Sequence, residues 1–162
     1  MQREHLARAA GRHEDGFTLI ELMMVVLIIA ILIAIAIPML LGARNRANDR
    51  AAQSTARDAL VAAKVVYTDK QDYTQATLGA LQAASGKSAL TFVSGDPTGN
   101  NQVSVTPVSA GYILFGVKSS SGECFYLADD ASVGTQYAKS PGAGGCAASG
   151  APGTGTWQTK AW

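Results

Sequence analysis

The sequence predicts an α+β fold, in which one long N-terminal α-helix packs its second half on a small antiparallel sheet. Three observations support this prediction. Residues 22–43 form an apolar run without a charged side chain. A helical pattern of apolar residues continues behind this run to about residue 70. Short stretches of alternating apolar and polar residues follow, and the 162 residues leave room for the helix and one globular domain.

The apolar run is long enough to cross a membrane as a helix, since about 30 Å of hydrocarbon takes about 20 helical residues. It is apolar on all sides, so it must lie either in lipid or among other apolar helices. Pro38 and Gly42 are the residues of the run that disfavour a regular helix, and we expect a kink there.

The residues that precede the run combine a helix start with two further features. They are Gly16, Phe17, Thr18, Leu19, Ile20 and Glu21. Thr18 and Glu21 have the spacing of a capping box, in which each side chain bonds the backbone amide of the other residue. A capping box does not account for the glycine and the large aromatic residue just before it. This motif, followed by an uncharged run, resembles the cleavage and methylation signature of type IV pilins and their pseudopilin relatives.

The resemblance assigns roles to individual residues. It implies that residues 1–16 are a leader, which a prepilin peptidase removes by cutting after Gly16. It also implies that the new amino group of Phe17 is methylated, and that Glu21, together with Thr18, serves assembly. Pro38 matches a proline of the family's helix.

The resemblance also implies an architecture, the pilin lollipop. Residues 17–70 would be the long helix, with residues 17–43 as membrane span and later filament core, and residues 71–162 would be an α+β head. The expected partners are further copies in a helical filament, the peptidase, the pilus assembly platform with its ATPase, and the membrane. The chain would be a single-pass protein of the inner, or cytoplasmic, membrane before assembly and extracellular afterwards.

A signal peptide is the alternative interpretation of the apolar run. Residues 34–36 form an A-x-A-like site, and cleavage after Ala36 would release a secreted monomer. Three acidic residues before the run and Glu21 at its border argue against a signal peptide.

The second half of the helix, from Arg44, is amphipathic. One face of this half carries charged residues, which would contact solvent, lipid headgroups or other subunits. The stripe that we expect to hold the sheet consists of Ala52, Ala56, Ala59, Ala63 and Val66, with Leu60 and Tyr67 beside it.

Three or four antiparallel strands are expected in the head. After a short helix over residues 75–84, the expected strands are residues 102–106, 112–118 and 123–128, with a fourth at residues 90–93. Residues 119–122 have the composition of a hairpin turn. Residues 96–101 predict another turn, whose oxygen-rich side chains could alternatively bind calcium.

The tail over residues 140–156 is rich in glycine and alanine, and it needs a tether to stay ordered. Because the head is expected to face an oxidising compartment, Cys124 and Cys146 are predicted to form a disulfide, which fits the C-terminal cysteine loop of pilins. Two buried thiols are the alternative. By the chain-entropy estimate such a bond contributes roughly 3 kcal/mol.

The residues argue against catalysis. Both histidines, His5 and His13, lie in the expected leader, which removes the usual base for a cysteine or serine nucleophile and any histidine metal ligand. The net charge of +1 suggests no strong electrostatic partner and no specific nucleic acid. We therefore expect no enzyme, cofactor or metal site.

The expected function is that of a structural subunit of a type IV pilus, used for adhesion, motility or DNA uptake. A pseudopilin of a type II secretion or competence system is the alternative, because its helix would look nearly the same.

Overall fold

A computed structural model describes residues 16–86, 90–153, 156–160 and 162. It contains two helices and five strands. They are α1 (Leu19–Lys70), α2 (Leu78–Ala84), β1 (Thr91–Val93), β2 (Gln102–Ser109), β3 (Tyr112–Lys118), β4 (Glu123–Asp130) and β5 (Gly134–Pro141). The described residues up to Leu40 form one compact unit, and Leu41–Trp162 forms the second. The leader predicted for residues 1–16 lies outside the described residues, apart from Gly16.

The first unit contains the first part of α1, and its predicted apolar helix is confirmed. The helix is long and apolar enough to cross a membrane, with a mean hydropathy of 3.2 over 18 residues, none of them buried. Pro38 lies inside α1. The kink expected at Pro38 and Gly42 stays a prediction.

The second unit begins with the remainder of α1, whose predicted alanine stripe is buried. Ala52, Ala56, Ala59 and Ala63 are at most 3% exposed. Because alanine has only a methyl side chain, the sheet can approach the helix closely along this stripe. The helix ends at Lys70, and Gln71 then adopts a left-handed backbone with φ of 55°.

The sheet has the order β1-β2-β3-β4-β5. Strands β2 to β5 are antiparallel, which confirms the α+β class. Two details of the expectation were wrong. There are five strands instead of three or four, because β5 was missed, and β1 pairs with β2 in parallel. The three residues of β1 are too few to show a direction in their pattern, and β5 has only Tyr137 and Ala138 as buried or half-buried apolar residues.

The predicted helix over residues 75–84 is shorter than expected. Tyr73–Gln75 forms a single 3₁₀ turn, and α2 starts only at Leu78. The reason is Thr77, whose hydroxyl oxygen accepts a hydrogen bond from the Ala80 amide at 3.3 Å and so caps α2.

The two faces of the sheet are covered by different parts of the chain. We call the face toward α1 the inner face, which carries Val103, Phe115 and Leu127. The opposite, outer face carries Tyr126 and Ala138 and is covered by the segment around Cys146. A Cβ atom at Gly116 would lie 2.1 Å from the Cys146 carbonyl oxygen, so only glycine fits there.

A disulfide joins Cys124 and Cys146, whose Cα atoms are 5.3 Å apart. The predicted bond is confirmed, and the alternative of two thiols is wrong. Asp96, in the turn predicted at residues 96–101, accepts a hydrogen bond from the Cys146 amide. Through this bond, the turn holds the disulfide segment in place. Among the described residues, no group of three or more acidic, cysteine or histidine side chains could hold a metal ion.

Polar contacts attach α1 to the sheet at two places. Near the start of the second unit, the Ser119 hydroxyl donates to the Asp49 carboxylate at 2.7 Å. Near the end of α1, the Lys64 ammonium lies 3.2 Å from the carboxylate of Asp129. Asp49 thus links the helix to the turn after β3, and Asp129 links the helix to β4.

Asp129 is 4% exposed, and hydroxyl groups complete its surroundings. Tyr73 donates to its carboxylate at 2.6 Å and Thr135 at 2.7 Å. Burial, and then the bond to Asp129, raise the pKa of the Tyr73 hydroxyl, so that it remains a donor at neutral pH.

Replacement of Tyr73 by phenylalanine should destabilise the head by about 1–3 kcal/mol, because it leaves a buried carboxylate without one of its donors. Urea unfolding of the full-length chain in detergent, followed by near-UV circular dichroism, measures the change. Tyr112→Phe is the matched control, since the Tyr112 hydroxyl makes no hydrogen bond to a described residue. Equal unfolding midpoints for the two variants would contradict the assignment.

Loss of the disulfide in Cys124→Ser should loosen the tail more than the helix, because the bond holds the segment that covers the outer face. Hydrogen exchange of the full-length chain should become faster at residues 142–150 and stay unchanged at residues 52–66. Uniformly faster exchange would show that the bond supports the whole head.

Candidate functional site

Residues at the start of α1 form the capping box that the sequence predicts. The Thr18 amide donates to Oε2 of Glu21 at 2.9 Å, and the Thr18 hydroxyl donates to the same oxygen at 2.7 Å. In return, the Glu21 amide donates to Oγ1 of Thr18 at 3.3 Å. The two side chains therefore fix the first turn of the helix.

The Glu21 carboxylate uses only part of its capacity to accept hydrogen bonds. Both bonds from Thr18 reach Oε2, and no donor in the described part of the chain reaches Oε1. An ionised carboxylate has room for about four hydrogen bonds. Glu21 can therefore accept a further donor without giving up its cap.

Glu21 is also isolated as a charge, since it is the one charged side chain in residues 16–43. Its place in the first turn puts it near the positive end of the helix dipole. The site is thus a single carboxylate at the border of an apolar helix.

Gly16 and Phe17 precede the helix, and neither packs against a described residue. Phe17 is 87% exposed. A Cβ atom at Gly16 would meet no described atom within 4 Å.

The helix behind the site exposes large apolar side chains on every side. From Ile20 to Leu41 all of them are at least 48% exposed. Removal of apolar surface from water is favourable by about 25 cal/mol of free energy per Å². A surface of this kind requires a cover of lipid or of other chains.

Two groups of residues in the head were not predicted from the sequence. One is Asp129 with Tyr73, and the other is Trp162, which packs against the inner face of the sheet. A signal for Asp129 was present, because it follows Phe125 and Leu127 at intervals of two and so lies on the same face. The partner Tyr73 lies 56 residues away and left no such signal.

Comparison with known proteins supplies two findings. Residues 11–37 match the family described as the prokaryotic N-terminal methylation motif. Over 113 residues, the chain is 35% identical to the type IV wide pilus major component PilA4 of Thermus thermophilus. The aligned part covers 68% of this chain and 86% of that relative.

Proposed function

This chain belongs to the type IV pilin family, and from that premise we propose that its mature form begins at a methylated Phe17. The family assignment makes the chain a structural subunit of a pilus, held in the membrane by its apolar helix before assembly and extracellular afterwards. The pseudopilin alternative is not favoured, because the relative that matches over 86% of its length is a pilus component.

The observation that carries the proposed cleavage site is the match of residues 11–37 to the methylation motif, which includes Gly16 and Phe17. Cleavage after Gly16 would also leave the whole of Leu19–Lys70 in the mature chain. Cleavage after Ala36 would cut inside that helix and remove nearly all of the matched residues 11–37.

Cleavage would place a new charge beside the capping box. An α-amino group has a reference pKa of about 7.7–8.0 and is largely protonated at neutral pH. Methylation leaves this nitrogen basic. The mature chain would then carry a cation at Phe17 and the Glu21 carboxylate at one end of an apolar helix.

We propose that the two charges pair between neighbouring copies in the filament. A carboxylate without a partner is costly in apolar surroundings, so a cation from a neighbouring copy favours docking. The open Oε1 supports this pairing, since Thr18 occupies only Oε2. Thr18 would then hold the Glu21 side chain in position.

The same pairing would set the axial register of the subunits. A copy that is shifted along the filament leaves both charges unmatched in apolar surroundings, which disfavours the wrong register. Apolar side chains alone do not distinguish registers in this way. The partners that this proposal requires are a prepilin peptidase and an assembly platform with its ATPase.

We also extend to this chain the role in the relative's name, the major component of a wide pilus. The support is that the alignment covers most of that relative. If the chain is a major component, it should be the most abundant protein in filaments sheared from the cell surface.

Intact mass and N-terminal sequencing of filament protein should show a chain that starts at methylated Phe17. Gly16→Leu should leave an uncut precursor in the membrane, because the bulky side chain blocks recognition at the cut. Gly42→Ala is the matched control, since Gly42 is equally open and lies far along the helix. A mature chain that starts at Ile37 would refute the site.

Two substitutions separate the charge of Glu21 from its capping role. Glu21→Gln keeps an acceptor for the cap and removes the charge, whereas Thr18→Val removes the side-chain cap and keeps the charge. Glu21→Gln should insert and be cleaved normally yet form few filaments. The expected fall in filament yield is about tenfold or more, since about 1.4 kcal/mol lost per contact lowers association tenfold.

Thr18→Val should reduce the yield less than Glu21→Gln does, and addition of wild-type subunits should partly restore filaments in both. Electron microscopy of sheared material measures the yield. Wild-type filament yield from Glu21→Gln alone would overturn the proposed pair.

A further inference from the structure

The outer edge of β5 is a place where another chain could add a strand. Strand β5 is the last strand in the order of the sheet, so one side of it faces away from β4. Edge strands present unpaired backbone amides and carbonyls, and they pair readily with strands of other molecules. With eight residues, β5 is a long edge, whereas β1 at the opposite edge has three.

Gln158 occupies the middle of this edge. The Tyr137 amide donates to the Gln158 carbonyl at 2.8 Å, and the Gln158 amide donates to the Tyr137 carbonyl at 2.9 Å. The two residues form an isolated antiparallel bridge. An incoming strand would need the same two backbone groups of Tyr137.

Trp157, the residue before Gln158, packs on the outer face of the sheet. Its ring lies against the cluster of Tyr126, Ala138 and the disulfide. Its indole N–H donates to the Pro152 carbonyl at 2.9 Å, which satisfies the polar atom of this half-buried side chain.

Trp162 packs on the opposite, inner face. Its ring meets Tyr137 and Phe125 edge to face, with centroids 4.8 Å and 5.5 Å away. Its indole N–H donates to the Ala138 carbonyl at 2.8 Å. The guanidinium of Arg57, on α1, lies 5.5 Å from the ring centroid, within the range of a cation–π contact.

We propose that Trp157, Gln158 and Trp162 form a clamp that covers the β5 edge and prevents it from pairing with the β5 edge of a second copy. The three residues hold one edge strand from the outer face, the edge itself and the inner face. Because Trp157 and Trp162 contact opposite faces of the sheet, the segment that carries them cannot easily slide along β5. The clamp therefore keeps the backbone of Tyr137 covered.

The second copy is the relevant competitor because a pilus subunit is concentrated in the membrane and the filament with many identical chains. An antiparallel strand pairs with its own copy through a twofold axis, so two β5 edges are complementary to each other. The clamp thus protects the head from association outside the filament contacts. This inference requires neither the cleavage site nor the pairing of Glu21.

Hydrogen exchange and cross-linking of the full-length chain in detergent micelles test the clamp. Trp162→Ala should speed exchange of the Tyr137 amide by about tenfold or more, because the bridge to Gln158 opens more often. A lysine cross-linker on mixed, isotope-labelled copies should show more Lys139 to Lys139 links between chains, by about fivefold. Val133→Ala is the matched control, since Val133 is exposed beside β5 and lies outside the clamp.

A second pair of variants isolates the edge if Trp162→Ala also unfolds the head, which exchange at β2 and β3 would reveal. Gln158→Pro removes the amide that donates to Tyr137, while Gln158→Ala keeps it. More Lys139 links between chains in Gln158→Pro, but not in Gln158→Ala, would support the clamp.

Two results would overturn the proposal. If exchange at Tyr137 is unchanged in both Trp162→Ala and Gln158→Pro, the three residues do not cover the edge. If exchange at Tyr137 rises without additional links between copies, the segment packs on the head but does not prevent the β5 edges of two copies from pairing.

Discussion

The head depends on the close approach of its sheet to α1, which the alanine stripe of that helix permits. The five buried alanines of this helix, which are Ala52, Ala56, Ala59, Ala62 and Ala63, have small side chains, so they set the distance between helix and sheet but not the position of the helix along the sheet. Directional contacts are needed to fix the helix along the sheet. The bonds of Asp49 to Ser119 and of Lys64 to Asp129 supply them, at separate places along the helix, and Tyr73, just behind the helix, also donates to Asp129. A buried polar network that is fully bonded specifies one arrangement where small apolar residues alone would allow several.

The sheet of this chain is covered on both of its faces. In β4 the six residues from Cys124 to Asp129 are all buried, so both faces of that strand are covered. Because α1 covers the inner face, the outer face needs another cover, and the glycine-rich segment held by the disulfide provides it. Such a segment has few apolar side chains of its own and depends on its tethers, which are Cys146 and the bond from its amide to Asp96.

The parts of the structure that the sequence predicts are those that local patterns determine. The apolar helix, the alanine stripe and the strands β2 to β4 follow from periodicity, and the capping box follows from four adjacent residues. Strand β5 has no such pattern, because its place comes from pairing with β4 along its whole length. The contacts of Tyr73 with Asp129, and of Trp162 with Ala138, join residues 56 and 24 positions apart. The sequence places their side chains on faces, and only the fold brings the faces together.

The candidate site differs from the head in this respect, because its residues are adjacent in the sequence while the role proposed for them lies in contacts between chains. Lipid and neighbouring apolar helices cover the apolar side chains of α1 about equally well, so apolar area gives little preference for the filament over the membrane. The preference must come from polar groups, and Glu21 is the one charged side chain in residues 16–43. In lipid its carboxylate has only its own cap from Thr18, while in a filament a neighbouring chain can add a cation. Under the pairing proposed above, the residue that is unfavourable in the membrane is also the one that favours departure from it.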